Sequence, residues 1–205
     1  MPLALLLALG LVMSVVRVEN PALPWWQRTP EHWIYPLQAM ICGALVWYWR
    51  AHYRWGDRSG RTFFIGIVAG VVGIAFWILG PTVGEPRSGG FDPTALGEAA
   101  APWVIGLRVV RLAIVVPFVE ELFWRGYLQP TLTRTRGAAI GLVSTAVFVA
   151  LAHQPSDWLI AFVYGLLAGV VYLWTKSLAA CIAMHATANL ILGIYILQSS
   201  RWSLW

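Results

Sequence analysis

The sequence predicts an all-α membrane protein, a bundle of about seven transmembrane helices. Its 205 residues are 59% hydrophobic and only 11% charged, whereas a soluble globular protein carries roughly 25% charged residues. Aromatic residues make up 14% of the chain, and many lie beside charges or at the ends of apolar runs, where rings settle at a lipid–water interface. These observations exclude a soluble monomer.

Seven apolar stretches are candidate membrane spans, and most approach the roughly 20 residues that a spanning helix needs. The first is short, but no basic residue precedes it and no small-x-small cleavage site precedes Arg17, so we expect an uncleaved span rather than a signal peptide. The glycine- and proline-containing segment 84–101 is predicted to be a loop, with a short helix from Thr94. The chain therefore reads as one membrane domain over 1–205. The seven stretches are 3–16, 33–49, 63–83, 103–123, 137–153, 158–174 and 178–197.

The basic residues, which give the chain a net charge of +5, lie mostly in short gaps between the apolar stretches. With seven spans, seven of them share a side with the N-terminus and four lie on the other side, so the positive-inside rule predicts a cytoplasmic N-terminus. The basic residues form no stripe or arm, so no nucleic-acid partner is expected. The two cysteines, Cys42 and Cys181, lie in apolar segments and make neither a disulfide framework nor a CxxC pair.

Ionisable side chains inside apolar stretches are costly unless they are paired or face a wet cavity, so each is a functional candidate. Glu120 and Glu121 point about 100° apart on a helix, and only Glu121 is placed to pair with Arg125 at i+4. Glu120 is left over. The alternative is that both acids only balance arginines as structural glue. The candidates are Arg108, Arg111, Glu120, Glu121, Arg125, His153, His185 and Asn189.

Two of the four histidines also lie in or at the end of apolar stretches. His185 and Asn189 are at i and i+4 and share one helix face, which also suits simple interhelical hydrogen bonding. Glu120 lies 16 residues before Arg136, and His153 lies 17 after it. At about 1.5 Å per residue, Glu120 and His153 are equally far from the turn between their helices and can meet across an antiparallel pair.

A carboxylate, two histidines and a carboxamide inside a membrane suit hydrolysis. A glutamate beside a histidine can take a proton from water, and a histidine with an asparagine can donate hydrogen bonds to the oxyanion that forms when this water attacks a carbonyl.

Three motifs in this order resemble those of the CPBP intramembrane protease family, which contains CAAX-processing and bacteriocin-processing enzymes. They are EExxxR at 120–125, a phenylalanine-containing segment that ends at His153, and HxxxN at 185–189. The resemblance implies a glutamic-type endopeptidase without a metal or other cofactor. In it, Glu120 and His153 activate water, His185 and Asn189 form the oxyanion hole, and Glu121 and Arg125 brace the site. The family's second motif is FxxxH, whereas here Phe148 precedes the histidine by five and Val149 by four.

The resemblance places a catalytic helix core at 103–197 and implies, as substrate, a membrane protein or peptide that could be processed at its C-terminus. The segments IYPLQ, WYWRAHYRW and VVPFVEELFWRGYL further resemble CAAX-protease-related proteins of bacterial exosortase and PEP-CTERM sorting systems, which implies a bacterial inner membrane. Two alternatives stay open. Glu120, His153 and His185 could form a His₂Glu zinc site, although no HExxH is present and Asn189 would then have no role; or the chain could be a non-catalytic scaffold or immunity-type binding protein.

Overall fold

The computed structural model describes residues 30–79 and 101–204, together with isolated positions before residue 30. Within these residues every regular element is a helix, and there is no strand. The predicted first span, 3–16, and the loop predicted at 84–101 lie outside the described residues, apart from those isolated positions and residue 101. The helices are α1 (Glu31–Tyr48), α2 (Gly60–Leu79), α3 (Ala101–Val110), α4 (Val116–Phe123), α5 (Gln129–Arg136), α6 (Ala138–Leu151), α7 (Trp158–Thr175) and α8 (Leu178–Ser199).

Helices α3, α4 and α5 are parts of one long helix, Pro102–Arg136. Two π-helical turns, Arg111–Val115 and Trp124–Leu128, join them. A proline lies two residues after the end of each π turn, at Pro117 and Pro130. Because proline has no N–H, it disturbs the regular α-helical hydrogen bonding of the preceding turn, which is the kind of place where single π turns form.

Four helices in the described part of the chain are long and apolar enough to cross a membrane: Gly60–Leu79, Pro102–Arg136, Pro155–Thr175 and Leu178–Ser199. An integral membrane helix bundle is therefore supported, but the count of seven spans is not. The stretch predicted at 137–153 is helical only over Ala138–Leu151. Its 14 residues reach about 21 Å, less than the roughly 30 Å of the hydrocarbon core.

Helix α8 packs along α2, against α7 and against the long helix. Glycines of α2 allow the backbones of α2 and α8 to approach closely: a Cβ atom on Gly66 would lie 2.3 Å from the Ala180 carbonyl oxygen, and one on Gly70 would lie 2.4 Å from that of Met184. Small residues at helix crossings are the usual route to tight packing in membranes. Helices α6 and α7 form an antiparallel hairpin in which Gly165 meets Ala146.

The segment between α1 and α2 is fastened to the turn before α8. The Leu178 N–H donates to the Trp55 carbonyl at 3.0 Å, and the Ser177 hydroxyl donates to the Asp57 carbonyl. The starts of α2 and α8, and therefore the end of α7, lie at the same end of the bundle. The end of the long helix and the start of α6 lie there too, because α6 runs antiparallel to α7. We call this the basic end, after its residues Arg50, Arg54, Arg58, Arg61, Arg134, Arg136 and Lys176.

We expect Gly70→Ala to destabilise the bundle by about 1–3 kcal/mol, because the added methyl group meets backbone and has no room. Thermal unfolding of the protein in detergent measures this loss. Gly106→Ala is the matched control: it lies in α3 with nothing within 4 Å of the new Cβ, and alanine favours helix over glycine by about 1 kcal/mol. Equal unfolding temperatures for the two variants would contradict the close packing of α2 on α8.

Candidate active site

A cavity of about 330 Å³ lies among α2, the long helix, the α6–α7 turn and α8. The structure places all six residues predicted for the site on its lining, although they come from three parts of the chain: the long helix, the turn after α6 and α8. They are Glu120, Glu121, Arg125, His153, His185 and Asn189.

Glu121 forms the buried centre of an ionic network. Its Oε1 atom lies 3.0 Å from Arg125 Nη1 and 3.0 Å from His185 Nδ1. The Glu121 and Arg125 side chains are each 1% exposed. Arg125 Nη2 also donates to the Gly165 carbonyl on α7 at 3.0 Å. The pairing of Glu121 with Arg125 expected from their i, i+4 spacing is present, and it joins the long helix to both α7 and α8.

Glu120 faces a different environment, as the 100° angle between neighbouring helical residues requires. Its Oε2 atom lies 3.4 Å from Trp124 Nε1, a long hydrogen bond. Among the described residues Glu120 forms no salt bridge, whereas Glu121 forms two. Glu120 therefore lies on the cavity lining without a salt-bridge partner among the described residues.

His153 follows α6 and is oriented by the backbone of that helix. Its Nδ1 atom lies 2.8 Å from the Val149 carbonyl. A carbonyl oxygen only accepts, so Nδ1 carries the proton, and in the neutral ring Nε2 is left as a basic lone pair. The Trp77 ring packs against the imidazole with ring centres 5.7 Å apart. Helix geometry and a neighbouring ring thus fix the orientation of this histidine.

Asn189 Nδ2 donates to the Leu112 carbonyl at 2.8 Å, and the sequence explains why that carbonyl is available. In the first π turn the Val116 N–H bonds to the Arg111 carbonyl. The following residue, Pro117, has no N–H to offer Leu112. The Leu112 carbonyl is therefore left for a side chain of α8, and the second N–H of the Asn189 amide remains for another acceptor.

Some cavity residues were not expected from the sequence: Trp77, Gln154, Asp157 and Tyr164 also line it. Asp157 is 5% exposed, and an acid directly before an apolar stretch was the signal that could have identified it. The aromatic residues of apolar helices carry no such signal. Phe148 is 49% exposed and absent from the lining, whereas the neighbouring Val149 contributes to it. The departure from FxxxH thus leaves the phenylalanine on the outside of the bundle.

The His₂Glu zinc alternative requires a cluster of donor side chains. In the part of the chain that the structure describes, no three His, Cys, Asp or Glu residues are grouped closely enough to hold a metal ion. Cys42 and Cys181 are both buried and form no disulfide.

The fold and the cavity define an integral membrane protein that encloses the kinds of side chain with which hydrolases activate water and stabilise an oxyanion. Residues 102–191, just under half of the chain, match the family model described as Type II CAAX prenyl endopeptidase Rce1-like. This match supports the CPBP family of intramembrane proteases that the motifs predicted, and with it a protease. No curated protein and no solved structure gives a significant match.

We expect Arg125→Ala to lower yield and thermal stability together with activity. Losing one partner of a buried ion pair costs about 3–5 kcal/mol, because the remaining charge is uncompensated. The double variant Glu121→Gln, Arg125→Met is the control: it removes both charges and should be more stable than Arg125→Ala alone. An Arg125→Ala protein that unfolds like wild type but cleaves nothing would instead give Arg125 a direct part in binding substrate.

Proposed function

We propose that the chain is a glutamic-type intramembrane endopeptidase that hydrolyses a peptide bond of a membrane-associated protein or peptide. The observation that carries the proposal is that the two adjacent acids have different partners. Glu121 is neutralised by Arg125 and faces His185, while Glu120 lies on the same cavity without a salt bridge among the described residues. A carboxylate outside a salt bridge keeps oxygen lone pairs for a water molecule.

In the proposed reaction Glu120, with Nε2 of His153, accepts a proton from a water molecule in the cavity. The hydroxide formed attacks the scissile carbonyl carbon, and the carbonyl oxygen becomes an oxyanion. The C–N bond then breaks, and the proton held by Glu120 or His153 passes to the leaving amine. The products are a new carboxylate and a new amino terminus, so no redox partner is required.

Asn189 and His185 are the proposed oxyanion donors. Asn189 has one N–H beyond the one that it gives to Leu112. His185 directs Nδ1 to Glu121, so it donates from Nε2 only as an imidazolium. The carboxylate of Glu121, which also bonds Arg125, holds Nδ1 of this ring. Glu121 and Arg125 thus support the oxyanion hole rather than the attacking water.

We expect Glu120→Gln to abolish proteolysis while the protein stays folded, since glutamine preserves size and hydrogen bonding but takes no proton. The loss of a general base typically costs about 10²- to 10⁴-fold in rate. Comparing the termini of membrane proteins in cells that express wild type or Glu120→Gln measures cleavage and identifies substrates. Asp57→Asn, the same exchange at an exposed carboxylate of the basic end, is the control and should cleave normally.

The metal content of the purified wild-type protein distinguishes the zinc alternative. About one zinc per chain by elemental analysis, lost together with activity in His153→Ala, would favour a zinc protease. A Glu120→Gln enzyme that cleaves at the wild-type rate would show that Glu120 is not the base.

We expect Asn189→Ala to bind substrate but turn it over slowly. Donors aimed at developing charge act mainly in the transition state, and one lost donor costs about 10²- to 10³-fold in kcat. The measurement is kcat and KM with a peptide from the terminus comparison, with Gln198→Ala on the exposed face of the same helix as control. A raised KM with unchanged kcat would mean that Asn189 only holds substrate.

A further inference from the structure

The described lining of the cavity stops short of the basic end. Among its lining residues on the long helix, the one closest to that end is Arg125, 11 residues before Arg136; on α8 it is His185, seven residues after Leu178. At 1.5 Å per residue these are depths of about 16 Å and about 10 Å. The described lining residues reach no nearer to the basic end than this.

At the opposite end the cavity reaches the surface. His153, Gln154 and Asp157 lie in the turn between α6 and α7, Trp77 lies two residues before the end of α2, and Leu204 lies beyond the end of α8. Gln154 is exposed. We call this the turn end. The shortness of α6 places the turn, and with it His153, at the mouth of the cavity.

By the sequence count above, seven Lys and Arg residues lie on one side of the membrane and four on the other. The basic end carries seven arginine and lysine residues, while in the described chain the turn end carries Arg201, together with Arg108 and Arg111 inside the long helix, where both stack on the Tyr35 ring. Hydrogen bonds from the Ser59 backbone and hydroxyl lower the pKa of Asp57 at the basic end, so this acid stays charged. Acids contribute little to membrane orientation, and the excess of Lys and Arg marks the cytoplasmic side.

We propose that the active site opens on the extracytoplasmic side of the membrane, and that its substrates are membrane proteins whose scissile bond lies near that interface. A lipidated tail presented from the cytoplasm would have to travel about 10 Å along α8, past a separate apolar cavity lined by Phe118 and Ile182, to reach His185. The substrate class in this inference rests on the proposed function. The orientation of the protein in the membrane is inferred from helix direction and charge alone.

Cysteine accessibility tests the orientation. In a Cys42→Ala, Cys181→Ala background, Ser156→Cys reports on the turn end and Thr135→Cys on the basic end; both positions are exposed. A membrane-impermeant maleimide is added to intact bacterial cells and to permeabilised cells. We expect Ser156→Cys to be labelled in intact cells and Thr135→Cys only after permeabilisation. The reverse pattern, or equal labelling of both in intact cells, would overturn the proposal.

A second arm tests substrate access. The same reagent on Gln154→Cys, in the mouth of the cavity, should block cleavage in intact cells, while labelled Ser200→Cys at the same end should cleave normally. New termini should fall on the extracytoplasmic side of the substrates; termini in cytoplasmic tails would overturn the substrate class. Because maleimide labelling requires no catalysis, the labelling pattern should be the same in the Glu120→Gln variant. The proposed membrane orientation can therefore be tested separately from the proposed protease activity.

Discussion

The buried pair between Glu121 and Arg125 is the interaction on which the site depends. Both side chains are almost completely removed from solvent, and unpaired charges at such depth would be unstable. Each therefore needs its partners in place. Arg125 reaches Gly165 on α7 and Glu121 reaches His185 on α8, so three helices must take up their relative positions before the charges are compensated. Four residues further on, Gln129 donates to the Gly169 carbonyl at 3.1 Å and extends the same connection along α7.

The two π turns of the long helix determine which way these side chains point. A π turn adds one residue without a full step of rise, so it rotates the next segment of the helix by about 100° relative to a continuous α-helix. The first turn also leaves the Leu112 carbonyl for Asn189, because Pro117 supplies no N–H. In this way one proline in VVPFVEEL couples the backbone of the long helix to a side chain of α8. The site thus uses a local backbone irregularity as a positioning contact.

Much of this arrangement could be predicted from the sequence. The composition predicts the helical membrane fold, and the i, i+4 spacings predict the ion pair of Glu121 with Arg125 and the shared face of His185 with Asn189. The equal spacing of Glu120 and His153 about Arg136 predicts that the two can meet across a helix pair; both line the cavity, and their direct contact stays a prediction. These successes have a common reason: each depends only on helix geometry and on the cost of polar groups in lipid.

The failures have a common reason too. Apolar content marks a segment as buried in lipid or protein, but it does not determine whether the helix crosses the bilayer. The spans that the sequence predicts at α6 and α1 are therefore not confirmed among the described residues. The link between Glu121 and His185 depends on the rotation that the π turns introduce, and hydrophobic periodicity does not report it. Tyr164 and Trp77 became cavity residues only through the crossing of α2 and α7, since their rings pack at 6.4 Å.

The short α6 also resolves a conflict that any hydrolase in a membrane meets. Buried charges and oriented donors act most strongly where water is scarce, yet hydrolysis consumes water. Helix α6 reaches about 21 Å, whereas α8 with its 22 residues reaches about 33 Å. The difference leaves His153 at the mouth of the cavity and Glu121 at its buried base. Water can thus reach the histidine from one side of the membrane, while the ion pair that organises the site stays in a dry, close-packed part of the bundle.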